Sequence, residues 1–134
     1  SSSAASDVYK RQVIYMDKKL LEYISEKSQE LINSSTCSNG AKSAAESWLK
    51  AVGTENEASE TKNYFAELES DIMPIDSLIN FAESDNGVNC FGADAAKSIA
   101  KHAREIKSSG AKYCDCPACA AAEAILQKKN DILK

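Results

Sequence analysis

The sequence predicts an all-α fold, a compact bundle of five or six short helices. From residue 16 onward, apolar residues recur three or four positions apart, and no stretch alternates apolar with polar residues as a half-buried strand would. The five glycines and two prolines stand mostly where these helical patterns begin or end. A chain of 134 residues is also long enough to bury a core as one domain.

The first three predicted helices cover about residues 17–32, 41–52 and 54–71. Each pattern places apolar residues on one face, and the polar loop 33–40 and Gly53 separate one helix from the next. The predicted inward-facing side chains are Leu20, Leu21, Ile24, Ser28, Leu31, Ile32, Ala41, Ala44, Ala45, Trp48, Leu49, Val52, Tyr64, Phe65, Leu68 and Ile72.

Three further helices are predicted over about residues 74–83, 93–108 and 117–131. The first and last of them begin at a proline, which fits the first position of a helix and cannot continue a preceding one. We expect a turn and loop over residues 84–92. The predicted apolar faces comprise Ile75, Leu78, Ile79, Ala82, Ala95, Ile99, His102, Ile106, Cys119, Ala122, Ile125 and Leu126.

The N-terminal segment differs in character from the rest of the chain. Residues 1–15 are rich in serine and alanine and lack apolar periodicity, whereas Met16 opens the first helical pattern. We therefore expect residues 1–15 to be a disordered or non-native leader and residues 16–134 to form a single helical domain.

Charge and composition argue against several classes of partner. Twenty acidic and sixteen basic residues give a net charge of −4, and the two signs are interleaved, so no basic stripe is available for nucleic acid or an anionic membrane. No apolar run approaches the roughly 20 residues of a membrane-spanning helix. Five cysteines, an odd number, do not suit a secreted disulfide scaffold. We predict a cytoplasmic protein with reduced thiols.

The chemistry of the chain is concentrated in three cysteines within six residues, Cys114, Cys116 and Cys119. Pro117 is best placed as the first residue of the last helix, which makes Cys116 its N-cap. The free amides and the positive end of the helix dipole then favour thiolates at Cys116 and Cys119. Thiolates at this spacing are typical of a metal site, with zinc expected first, an iron–sulfur cluster second, and no cofactor as the remaining alternative.

A structural zinc ion needs a fourth ligand from elsewhere in the chain. Cys37 is the first candidate because it lies in a polar loop, where a thiol has no packing role. His102, on the apolar stripe of the fifth predicted helix, is the second candidate, although a hydrogen-bonded histidine is also expected there. Cys90 is the third, since its apolar neighbours indicate simple packing.

Two other interpretations of the cysteines stay open. Cys116 and Cys119 could form a thiol–disulfide redox pair or sensor, although the strand and parallel sheet that surround such a pair in thioredoxins are not predicted. The thiols could also be inert, in a protein-binding adaptor. A single histidine excludes a di-iron bundle, and no glycine-rich phosphate loop or serine triad is present, so we predict no catalytic residue.

Three stretches carry a resemblance to a known group of proteins. They are Asp71-Ile72-Met73-Pro74-Ile75-Asp76-Ser77-Leu78-Ile79, Phe91-Gly92-Ala93-Asp94-Ala95-Ala96-Lys97 and Gly110-Ala111-Lys112-Tyr113-Cys114-Asp115-Cys116-Pro117-Ala118-Cys119. With them the chain resembles small cytosolic helical proteins of anaerobic Gram-positive bacteria that end in a Cys-x-Cys-x-x-Cys motif. Members often carry the label of a heat-shock chaperone of the ninety-kilodalton class. The resemblance implies a chaperone-like accessory or protein-binding role beside the predicted metal–thiolate function, which we expect to be non-enzymatic.

Overall fold

A computed structural model describes the backbone of residues 2–133 and the side chains of residues 18–133. The predicted all-helical fold is confirmed, but the predicted number of helices is wrong: this part of the chain forms eight helices rather than five or six. They are α1 (Ser2–Asn33), α2 (Asn39–Ala51), α3 (Glu57–Asp71), α4 (Ile75–Ala82), α5 (Asp85–Phe91), α6 (Ala93–Ser108), α7 (Pro117–Leu126) and α8 (Lys129–Ile132).

The two additional helices, α5 and α8, are short. Helix α5 replaces the expected loop because Ser84 caps it, with its Oγ accepting a hydrogen bond from the backbone N–H of Gly87 at 3.1 Å. Helix α8 is a separate last turn, whereas the sequence predicts one continuous helix over residues 117–131. The Nζ of Lys129 contacts Oε1 of Glu69 at 2.5 Å and so connects α8 to α3.

Helix α1 begins at Ser2, well before the predicted start of the first helix near residue 17. The expectation of a leader over residues 1–15 falls on residues whose side chains lie outside the described part of the chain, and it stays a prediction. No helix that the structure describes is both long enough and apolar enough to cross a lipid bilayer.

The larger of two apolar clusters, here called the first cluster, joins α1, α2, α3 and α7. Its polar atoms are satisfied internally: Ser28 Oγ lies 2.8 Å from the hydroxyl of Tyr64, and Trp48 Nε1 donates to Thr61 Oγ1 at 2.9 Å. The largest fully buried side chains are Trp48, Tyr64, Phe65, Ile24, Leu31, Leu68, Ile125 and Ser28.

The second cluster is smaller and joins α4 to α6, with α5 packed beside both. Its buried members are Ile75, Leu78, Ile79 and Ala103. Small alanines on the inner face of α6 allow the helices to approach closely, and the glycine of α5 lies in a comparably tight place. A Cβ atom on Gly87 would lie far inside van der Waals contact with the carbonyl oxygen of Phe81.

The two clusters meet along a short antiparallel backbone ladder that precedes α7. The backbone N–H of Cys114 donates to the carbonyl of Met73 at 2.8 Å, and that of Ile75 donates to the carbonyl of Lys112 at 2.9 Å. Cys114 packs against the second cluster, whereas Tyr113 and Cys116 pack against the first. The ladder therefore brings the cysteine segment to the boundary between the clusters.

The close approach at Gly87 predicts a specific loss of stability. Gly87→Ala should lower the free energy of unfolding by about 1–3 kcal/mol, because α5 must move away from Phe81 to admit the methyl group. Urea unfolding monitored by circular dichroism measures the change. Asn89→Ala, at an exposed position of the same helix, is the matched control and should change stability little. Equal effects of the two substitutions would contradict the packing described.

Candidate metal centre

The structure brings together the sulfur atoms of Cys114, Cys116 and Cys119, which all lie within 4.8 Å of one another. Each of the three side chains is partly buried. No disulfide links any of the five cysteines. Three thiols at these distances could hold one metal ion.

The local backbone explains why these sulfurs converge. Cys116 is the N-cap of α7, with Pro117 in the first turn, as the sequence predicts. Its sulfur accepts from the backbone N–H of Cys119 at 3.4 Å, while its own N–H donates to the sulfur of Cys114 at 3.4 Å. The turn thus directs all three sulfurs to one side of the helix terminus.

Close packing makes the three thiols titrate differently. The pKa of Cys116 is lowered to about 4, first by a hydrogen bond from the Cys119 thiol and further by the hydroxyl of Thr36, while burial opposes the shift. The same bond holds the proton on Cys119 and, together with burial, raises the pKa of that thiol. Burial is the main cause that raises the pKa of Cys114. One thiolate and two thiols therefore share this site.

Thr36 also belongs to the site, although the sequence does not predict it. Its Oγ1 accepts from the backbone N–H of Ala118 at 3.4 Å, in the first turn of α7, and its hydroxyl stabilises the Cys116 thiolate. The loop after α1 therefore does reach the start of α7. Nothing in the sequence around Thr36, an exposed hydroxyl in a serine-rich loop, signals this contact.

The three candidates for a fourth ligand lie in different surroundings, and none belongs to the mutually close set. Cys37 packs against the first cluster, and its sulfur faces the carbonyl of Ser38 at 3.4 Å. His102 Nε2 lies 2.7 Å from Oδ2 of Asp115, and both side chains are half-exposed. Cys90 is exposed on α5. The identity of the fourth ligand stays a prediction.

A groove of about 700 Å³ opens directly beside the three sulfurs. It lies between the cysteine segment and α6, and His102 and Asp115 are part of its wall. The remaining lining residues are Thr36, Asp71, Met73, Leu78, Phe91, Ser98 and Ile99. The groove makes the site accessible from solvent on one side.

Comparisons of this chain with protein-family models, with curated proteins and with solved structures found no match. Of the sequence features behind the predicted resemblance, the structure shows the cluster of Cys114, Cys116 and Cys119.

The pKa of Cys116 predicts an unusual reactivity for this thiol in the metal-free protein. Iodoacetamide, which reacts with thiolates, should alkylate Cys116 at nearly the same rate at pH 5 and pH 8. The alkylation of free glutathione should be slower at pH 5 than at pH 8 by roughly three orders of magnitude, because its thiol is protonated at pH 5. Mass spectrometry of peptides after timed labelling measures both rates. A rate at Cys116 that falls in parallel with glutathione would contradict the lowered pKa.

Proposed function

We propose that this protein binds a zinc ion through Cys114, Cys116 and Cys119, and that the ion holds its two helical clusters together. The observation that carries the proposal is the convergence of three sulfurs within 4.8 Å. Tetrahedral zinc with bonds of about 2.3 Å to sulfur separates its ligands by roughly 3.8 Å, so small rotations of the side chains suffice.

The position of the three cysteines supports a structural role. Cys114 packs against the second cluster, while Cys116 and Cys119 pack against the first. A shared ion adds bonds across this boundary, where within the described residues the backbone contributes only a short ladder. The unfolded chain offers no preformed metal site. Binding of the ion therefore stabilises the folded chain, in which both clusters are in place.

Zinc fits this donor set better than an iron–sulfur cluster does. Iron–sulfur clusters are commonly held by four cysteine thiolates, and here three are close together. Zinc also accepts mixed donors, so nitrogen or oxygen could complete its coordination. A reducing cytoplasm is the compartment that would keep these thiols available as ligands. Membership in the group of small bacterial helical proteins that the sequence resembles belongs to the same proposal.

Cys37 remains the fourth ligand that the sequence predicts. The loop that carries it contacts the start of α7 through Thr36, which supports the choice. To join the set, however, the sulfur of Cys37 must turn away from the carbonyl of Ser38. Burial raises the pKa of Cys37, so its proton must also be displaced by the metal.

The zinc proposal predicts a stoichiometric ion whose loss destabilises the fold. Protein purified with reductant should contain one zinc per chain by elemental analysis, and Cys116→Ser should contain none. With free zinc at about 100 times the dissociation constant, the free energy of unfolding should rise by about 2.7 kcal/mol. Denaturant unfolding with zinc and with a chelator measures this difference.

Cys90→Ser is the matched control for this experiment. It removes an exposed thiol outside the set and should leave both the zinc content and the response to chelator unchanged. A fully folded wild-type protein that takes up no zinc would refute the proposal.

A thiol–disulfide redox function is the second candidate, favoured by the hydrogen bond between the side chains of Cys116 and Cys119. The Cys116 thiolate would attack a substrate disulfide, forming a mixed disulfide and releasing one substrate thiolate. Cys119 would then lose its proton to solvent and attack the Cys116 sulfur, which releases the second substrate thiolate. The substrate gains two electrons, and the protein retains a Cys116–Cys119 disulfide.

The redox candidate makes a separate prediction for the metal-free protein. With a dithiol as the regenerating reductant, wild-type protein should reduce an aromatic disulfide at pH 6, and Cys116→Ser should be inactive. Cys119 or Cys114 could resolve the mixed disulfide, because both sulfurs lie within 4.8 Å of Cys116. In a single turnover without added dithiol, the double variant Cys114→Ser/Cys119→Ser should therefore stop at a mixed disulfide that mass spectrometry detects. If this double variant released both substrate thiols like wild type, the exchange mechanism would be wrong.

A further inference from the structure

The groove beside the three sulfurs has the dimensions and lining of a small-molecule site. Its volume of about 700 Å³ falls within the range of typical ligand pockets. One apolar wall is formed by Leu78 of α4 and the preceding Met73, and the other by Phe91 of α5 and Ile99 of α6. Phe91 is 39% exposed, although its ring packs edge-on against Phe81 at 5.7 Å between centroids. The Phe91 ring is partly exposed because it lines this open groove.

The side chains that could supply a fourth metal ligand lie outside the close set of three sulfurs. Among the described residues, no other cysteine, histidine or carboxylate joins the close set. His102 is bound to Asp115, and the Cys37 sulfur faces the Ser38 carbonyl. Asp71 accepts a hydrogen bond from Ser38 Oγ at 3.3 Å and shares another with Glu67.

We infer that the fourth position of the metal opens into this groove and takes a small aminothiol as an external ligand. This inference rests on the proposed metal function, replaces Cys37 at the fourth position and adds the class of the external ligand. Three protein ligands and one exchangeable position are the arrangement of zinc sites that bind reactants. The thiol of the ligand gives its proton to solvent as its sulfur binds the metal, and its carbon body lies against the apolar walls.

The charges around the groove explain why the ligand should carry an amine. A divalent ion with three thiolates has a net charge of −1, and a fourth thiolate makes it −2. The described groove lining adds the carboxylates of Asp71 and Asp115 and contains no lysine or arginine, with His102 paired to Asp115. An ammonium group close to the sulfur offsets this negative charge, whereas a carboxylate would increase it.

Cobalt serves as the probe because its visible and near-ultraviolet spectrum reports bound sulfur. The full chain is loaded with one cobalt ion, freed of excess metal, and titrated separately with cysteamine, mercaptoethanol and mercaptoacetate. We expect a saturable increase in sulfur-to-cobalt absorption, with cysteamine binding about tenfold more tightly than mercaptoacetate because the groove is acidic. The cobalt content is measured after each titration, so that removal of the metal is distinguished from binding.

A pair of serine variants tests the place of binding. Ser98 is exposed and lines the groove, so Ser98→Trp should fill it and weaken cysteamine binding by about tenfold or more. Ser108→Trp, at an exposed position outside the groove lining on the same helix, should bind cysteamine like wild type. Both variants must still bind one cobalt ion.

The outcomes separate this inference from the zinc proposal. A cobalt protein whose spectrum ignores all three thiols, and begins to respond only in Cys37→Ser, would overturn the external ligand and establish Cys37 as the fourth. Equal binding by the two tryptophan variants would also overturn it. Failure of the chain to bind cobalt at all would overturn the metal function as well.

Discussion

The site depends on one backbone constraint, the pairing of residues 112–114 with residues 73–75. Two hydrogen bonds, from Cys114 to Met73 and from Ile75 to Lys112, fix the segment that leads into α7. Because these bonds attach that segment to the start of α4, Cys114 is held against the second cluster while α7 packs into the first. The helix N-terminus and the third sulfur are thereby placed side by side.

This arrangement has an electrostatic cost that a cation can remove. Three thiolates within 4.8 Å of one another would repel strongly. The hydrogen bond between the Cys116 and Cys119 side chains lowers the pKa of Cys116 and raises that of Cys119, and burial raises the pKa of Cys114. A divalent ion would reverse that preference and displace the remaining protons. Metal binding at this site is therefore coupled to pH mainly through Cys114 and Cys119.

Much of the fold could be predicted from the sequence, because apolar periodicity is a local property. The cysteine cluster was found for the same reason: its spacing and Pro117 are visible along the chain. The features that were not predicted depend on contacts that form only in the folded chain. Asp85-Asn86-Gly87 is typical of a turn, but in the folded chain Ser84 caps a helix there and Gly87 admits the close approach of Phe81. The roles of Thr36 at α7 and of Asp115 beside His102 likewise require the folded chain.

The metal and redox functions compete for the same atoms, since Cys116 and Cys119 cannot ligate an ion and form a disulfide together. Cys114 distinguishes the two. Disulfide exchange needs only the Cys116 and Cys119 pair at a helix N-terminus. The third sulfur is nevertheless held in place by the bond from its own N–H to Met73, and it accepts a hydrogen bond from the Cys116 N–H. The proposed metal ion requires all three sulfurs, whereas in disulfide exchange Cys114 would serve only as a second thiol able to resolve a mixed disulfide at Cys116.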